Sequence, residues 1–229
     1  MLRLIVKGAC VAGSILALSA GANAATFTYT TTFTELNDSG GSGNATVVYD
    51  DVANTLRVQI QASGLDDGLH VMHIHGRFSD GVDGDPIDSV TPVPESEFDT
   101  NNDGILTVPE GAPAYGPIIL PLADSGSANS NNFQSGTSID YDRTFDFSAP
   151  NAQTLFANVG DSNDSYGVED LLPLFLREIV IHGVNEDGEF IASLPALAGE
   201  LSEVPVPGAV ILFGSALAAF GAARRRKAA

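Results

Sequence analysis

Cysteine, tryptophan and lysine are what this chain nearly does without. Of its 229 residues one is cysteine, Cys10, none is tryptophan, and the two lysines, Lys7 and Lys227, stand at opposite ends. Positive charge of any kind is scarce in the middle. From Ala25 to Glu203 only Arg57, Arg77, Arg143 and Arg177 are cationic, and all 29 Asp and Glu fall in that stretch, so its formal charge is −25. A nucleic-acid binder needs a basic footprint, and none is present. Docking on anionic lipid is disfavoured for the same reason. The shortage of cysteine excludes a disulfide framework and thiol chemistry in the body. No G-x-S-x-G, phosphate loop or H-E-x-x-H occurs, and only four histidines exist, so no hydrolase motif is available. What remains is a cation-attracting body of roughly 180 residues, enough for one domain with one core.

The two ends read differently from the body. Residues 1–24 have the order of an export signal: Arg3 and Lys7, then an apolar or small run from Ala9 to Ala20, then Ala22-Asn23-Ala24 as an A-x-A cleavage site. Cys10 falls inside this signal, and Lys7 argues against a lipoprotein cysteine. At the other end Val204-Pro205-Val206-Pro207-Gly208-Ala209 leads into an uncharged apolar run to Ala223 and then Arg224-Arg225-Arg226-Lys227. Val204 to Ala223 is 20 residues, ~30 Å as a helix and enough to span a bilayer, so a single C-terminal transmembrane helix is expected over 208–223, with the basic cluster 224–227 held in the cytoplasm. A plain anchor accounts for the run and the cluster but not for the Pro-containing motif ahead of them. Val204, Pro205, Pro207 and Gly208, followed by Arg224, Arg225 and Arg226, resemble the PEP-CTERM family of sorting tails in a VPxPA-like variant. That resemblance, over residues 204–229, implies recognition by an exosortase-type sorting enzyme. It also implies transient anchoring in the inner membrane, then delivery to the cell surface or the extracellular matrix.

The body predicts an all-β domain. Phe27, Tyr29 and Phe33 alternate with threonines, and the same period-two pattern runs through Ala45, Val47 and Tyr49, through Leu56, Val58, Ile60 and Ala62, and through Tyr141, Arg143, Phe145 and Phe147. One polar and one apolar face per strand indicates antiparallel sheets packed on one side. Asn/Asp/Gly/Ser clusters separate the runs as turns. The expected architecture is a Greek-key β-sandwich or barrel over residues 25–203, with a long Gly/Pro/Asp-rich insertion at 77–117.

Three of the four histidines lie in Gly68-Leu69-His70-Val71-Met72-His73-Ile74-His75-Gly76, and the fourth ends Arg177-Glu178-Ile179-Val180-Ile181-His182. In a strand His73 and His75 share a face while Met72 and Ile74 take the core; Ile179 and Ile181 leave His182 outward in the same way. Three imidazoles outside the core on neighbouring strands are a start for a copper or zinc site. The stretch Gly64 to His75 resembles the G-L-x-x-G-x-H-G-F-H-V-H segment of Cu,Zn superoxide dismutases, and Arg177 to His182 resembles their later R-x-x-V-x-H strand. In its H-I-H-G form the pattern resembles the CHRD domain, frequent in exported bacterial proteins. The resemblance implies that His73, His75 and His182 stand where three copper ligands stand and that His70 is a structural support. No histidine lies between His75 and His182, and no arginine follows His182 before the tail. The bridging and zinc-site histidines and the arginine that guides superoxide are therefore absent. A body of charge −25 also repels an anion.

Asp99-Thr100-Asn101-Asn102-Asp103-Gly104-Ile105-Leu106-Thr107-Val108-Pro109-Glu110 fits the twelve-residue EF-hand loop. Asp99, Asn101, Asp103, the Ile105 carbonyl, Thr107 and Glu110 are the candidate Ca²⁺ ligands, with Leu106 as the apolar anchor. The competing reading is a solvated acidic turn in which Thr107 and Glu110 begin a helix as a capping box. Pro109, Gly111 and Pro113 exclude a long exit helix, so calcium's expected role is to order the insertion. The stretches around Asp80 to Asp88 and Asp161 to Asp164 have no fixed template and read as solvated loops. The reading as a whole is an exported, calcium-stabilised, non-catalytic, metal-binding β-sandwich that meets exopolysaccharide or surface proteins. Its alternative is a copper-only dismutase-like oxidoreductase or a copper-binding protein on the same ligands.

Overall fold

A computed structural model of the chain describes residues 25–93 and 97–205. The predicted signal and the tail from residue 206, with Pro207, Gly208, Arg224, Arg225 and Arg226, lie outside the described residues. Val204 and Pro205 are inside them and exposed. Among the described residues no helix is long and apolar enough to cross a membrane.

The elements run in chain order as β1 (Thr26–Thr32), β2 (Thr34–Glu35), β3 (Ser42–Asp50), β4 (Thr55–Ser63), β5 (Met72–Phe78) and β6 (Pro86–Ile87). They continue as α1 (Val108–Tyr115), β7 (Ile118–Pro121), β8 (Ser138–Asp146), the single turn α2 (Val168–Leu171), β9 (Arg177–Glu186), β10 (Glu189–Glu200) and β11 (Ser202–Glu203). One sheet has the order β11-β1-β3-β4-β8, and the other has the order β2-β10-β9-β5-β6 with β7 also on β5. β8 returns to lie beside β4 although β5, β6, α1 and β7 intervene. Alternation sets the layers. Val47, Val58, Ile60, Tyr141 and Phe145 of the first sheet share one buried cluster with Met72, Ile74, Ile179 and Ile181 of the second. The all-β expectation is therefore met between the sheets.

Two parts depart from the sequence reading. β10 is not among the predicted strands, because Pro195 cannot donate a ladder hydrogen bond and Gly199 brings no side chain to the pattern. The structure accommodates Pro195 by register shifts on both sides of it. The insertion at 77–117 is also more than a loop. It contains β6 and α1 and folds back over the outer face of the second sheet. There Leu106 and Tyr115 bury against Leu36, Val180 and Ala198 in a second, smaller apolar cluster. Asn37 pins the contact: its side chain accepts from Leu106 N at 2.6 Å and donates to Leu106 O at 2.9 Å and Pro195 O at 2.8 Å.

Candidate metal centre

β5 and β9 pair side by side, with His73 opposite Val180 and His75 opposite Glu178. Because their inner residues enter the core, His73, His75 and His182 project together from the far face, as the spacing predicts. They do not face solvent, however. Their exposures are 8%, 3% and 5%. Sequence alternation finds the side of the sheet on which a residue sits but not what covers that side. Here α1 and the chain just after it form the cover.

The ring centroids of His73 lie 5.5 Å from those of both His75 and His182, and His75 lies 6.2 Å from His182. Each ring offers a nitrogen such that all three lie within 4.8 Å of one another. Among the described residues, this is the group of His, Cys, Asp and Glu donors that converges on one point. Second partners set the rings. His75 Nδ1 donates to Gly116 O at 2.9 Å and His182 Nδ1 donates to Ser193 O at 2.7 Å. A carbonyl can only accept, so in both rings the proton is on Nδ1 and the Nε2 lone pair is free. Nε2 of His75, Nε2 of His182 and Nδ1 of His73 are buried without a hydrogen-bond partner.

Burial, first of all, keeps these rings uncharged. His75 is pushed down to about 3, with His182 adding to the effect and the Gly116 bond opposing it. His182 is pushed down to about 4, against the opposing Ser193 bond. His73 falls well below 6.5 through burial and its two imidazole neighbours. Two oriented nitrogens with free lone pairs, on His75 and His182, and a third buried without a partner on His73 suit a transition ion bonded at ~2 Å to imidazole.

His70 does not join the three. Its Nδ1 lies 2.8 Å from His182 O, and its Nε2 lies 2.9 Å from both Asp66 O and Gly136 O. It ties the chain ahead of β5 to β9. Gly183 keeps that tie possible, because its φ is +111° and a Cβ there would lie 2.8 Å from His70 Nδ1. Gly76, after His75, is closed in by Ile119 and Arg177 at 2.6 and 2.7 Å.

Sequence reasoning missed the surroundings. Tyr115 sets its ring against His75 at 4.7 Å, and Phe133 approaches His73 at 5.9 Å. Glu178 is fully buried. Its Oε1 accepts from Thr91 Oγ1 at 2.6 Å, and Oε2 has no partner. Burial pushes it up to about 8, with Glu200 adding and the Thr91 bond opposing. The signal for Glu178 was present in the sequence, since it shares its strand face with Val180 and His182. The contributions of Gly116 and Ser193 are main-chain carbonyls, which leave no trace in residue type. A cavity of about 490 Å³ lies over the imidazoles, walled by α1, residues 115–118 and Ala192.

The EF-hand-like segment forms one continuous turn. Asp99 accepts from the amides of Asn102 and Gly104 at 2.8 and 2.9 Å, Asn101 Oδ1 accepts from Asp103 N at 3.0 Å, and Asp103 Oδ1 accepts from Ile105 N at 2.8 Å. Glu110 accepts from Thr100 through Oε1 and from Thr107 through Oε2, the latter at 2.6 Å from the hydroxyl. These bonds hold Glu110 down to about 2. Glu110 thus also opens α1 in the capping-box manner.

Fold and site define a class of protein: an all-β sandwich whose second sheet carries a covered cluster of three neutral histidines. The CHRD domain family model matches residues 24–167. The match takes in more than half of the chain, which belongs to the CHRD-domain family. CHRD domains occur in secreted proteins, and membership is consistent with an exported, extracellular β-sandwich protein. The matched span includes His70, His73 and His75 and stops before β9, so His182 comes from beyond it. No curated protein matches the chain.

Proposed function

We propose that the protein is an exported, non-catalytic transition-metal-binding β-sandwich. Calcium steadies it at residues 99–110, and an exosortase-type system delivers it to the cell surface or exopolysaccharide matrix. The observation that carries the reading is the set of three buried, uncharged, partnerless nitrogens on His73, His75 and His182. Leaving such nitrogens unpaired costs about 1–3 kcal/mol each, and an ion removes that cost. These residues would hold the ion, which supplies Lewis acidity or, as copper, one-electron exchange. Copper is favoured over other first-row ions by the affinity order of nitrogen sites. Calcium fits through the loop pattern and through Leu106, which enters the second apolar cluster and so connects loop order to the cover of the histidines.

The test is copper uptake by the exported protein. The wild type should take up one Cu²⁺ per chain, and His73→Ala/His75→Ala should take up none while keeping its circular dichroism. Absence of stoichiometric uptake by the wild type overturns the metal site. Copper-dependent superoxide consumption lost in the variant would replace the non-catalytic reading with a dismutase-like one.

A further inference from the structure

The cavity above the histidines has a wall of unusual composition for this chain. The body carries 29 carboxylates and four arginines, yet no charged side chain lines the cavity. Its surface comes from Val71, Ala112, Tyr115, Pro117 and Ile118, with Val108 at the rim and 38% exposed. Several polar groups nearby are already engaged. Tyr115 donates its hydroxyl to Val108 O at 3.3 Å, and the Nδ1 atoms of His75 and His182 are bonded to carbonyls. A molecule entering the cavity therefore meets carbon on its sides, with the rings of His73, His75 and His182 among the residues that line it and their partnerless nitrogens buried behind that surface.

We infer that this cavity is a binding site for a neutral, mainly apolar molecule carrying one nitrogen or sulfur donor, seated with its donor toward the three histidines. The inference rests on the reading that those histidines hold a transition ion. A cavity of about 490 Å³ lies within the ordinary range for small-molecule sites. An anion loses its hydration against an uncharged wall inside a body of charge −25 and finds no cation there. An organic cation finds no carboxylate in the wall. An apolar body gains by leaving water, and its donor completes the ion's coordination.

The test uses the exported full chain loaded with Cu²⁺ at pH 8, where imidazoles in solution are neutral. Imidazole, 4-phenylimidazole and azide are titrated and followed by the copper d–d absorption and electron paramagnetic resonance. The phenyl compound should bind at least about tenfold more tightly than imidazole, as the transfer of a ring from water allows, and azide should bind more weakly than either. Ala112→Trp, which fills the cavity, should abolish the tenfold preference without changing copper stoichiometry. Equal affinity of the two imidazoles for the wild type, or azide binding as tight as theirs, overturns the inference. If no copper is taken up, the metal reading fails by itself. Calorimetry with 4-phenylimidazole on the metal-free protein then decides the cavity: saturable binding lost in Ala112→Trp upholds it, and no saturable binding overturns it.

Discussion

Glu178→Gln should change the shape of the pH–stability curve of the metal-free protein. Each proton by which folded and unfolded chains differ changes stability by about 1.4 kcal/mol per pH unit. His73, His75 and His182 are held neutral when folded and regain a value near 6.5 when unfolded. Below pH 6.5 the unfolded chain takes up three protons that the folded chain refuses, and stability falls on acidification. Glu178 acts in the opposite sense. Folded, it keeps its proton up to about 8, whereas unfolded it releases it near 4.5. Its contribution is therefore complete at low pH and lost as pH rises toward 8. Near pH 5 the net difference is close to two protons, and the wild type should lose about 3 kcal/mol per unit of acidification there, the slope shrinking toward neutrality. Above about pH 7.5, where the unfolded imidazoles have released most of their protons, Glu178 is the main one of these four groups that still differs, so the wild type should lose roughly 1 kcal/mol per unit of rising pH there. A stability maximum at about pH 7 results. Glutamine retains the acceptor for Thr91 but cannot ionise. Glu178→Gln should thus lose about 4 kcal/mol per unit of acidification near pH 5 and become level only above about pH 7.5. Urea unfolding at fixed pH in EDTA, followed by far-ultraviolet circular dichroism, measures both arms. A variant that declines above about pH 7.5 as the wild type does, or a wild type without that decline, refutes the reasoning.

Three further outcomes follow from other contacts. Asn37→Ala removes three buried hydrogen bonds between the β2–β3 connection, Leu106 and Pro195; it should cost roughly 2–4 kcal/mol in chemical denaturation, and a loss below about 0.5 kcal/mol would deny that Asn37 pins the insertion. Ca²⁺ should raise the melting temperature of the wild type but not of Glu110→Gln, and identical wild-type melting with Ca²⁺ and with EDTA ends the calcium reading. Deleting Val204 to Pro207 should leave an uncut, membrane-bound precursor, and normal processing of that deletion contradicts recognition by a sorting enzyme.

The legible part of this protein is whatever depends on one strand at a time. Tyr29, Val47, Val58 and Phe145 alternate with polar neighbours, and each strand they lie on is where that pattern places it. The side of the sheet that carries His73, His75 and His182 follows from the same rule. The burial of those histidines does not. It arises because Leu106 and Tyr115, some 30 to 40 residues after β5 begins, lie down on Val180 and Ala198. In the alternation those two residues read only as small apolar side chains pointing away from the core. Contacts of that kind are set by where a Pro- and Gly-rich segment returns, and no local period encodes the return. β10 was obscured for a different reason: Pro195 breaks the ladder that would have announced it.

The burial changes what the charge of the chain means. From composition alone, −25 over the body describes a surface that draws in cations of every kind. The structure separates that attraction from retention. Oxygen-bearing side chains recur along the turn from Asp99 to Glu110 at the spacing by which, in the proposed reading, a hard ion would be satisfied by carboxylates and a carbonyl. The nitrogen donors sit below α1 beside a wall without charge, where a hard ion finds no oxygen ligand and a nitrogen-seeking one finds three. The link between the two places is short and covalent: Thr107 caps α1, and α1 ends at Tyr115 and Gly116, whose ring and carbonyl hold His75. In the proposed reading, an ordered acidic turn therefore fixes the cover of the nitrogen site. The two ion chemistries that composition blurs into one acidic average become consecutive steps along residues 99–116.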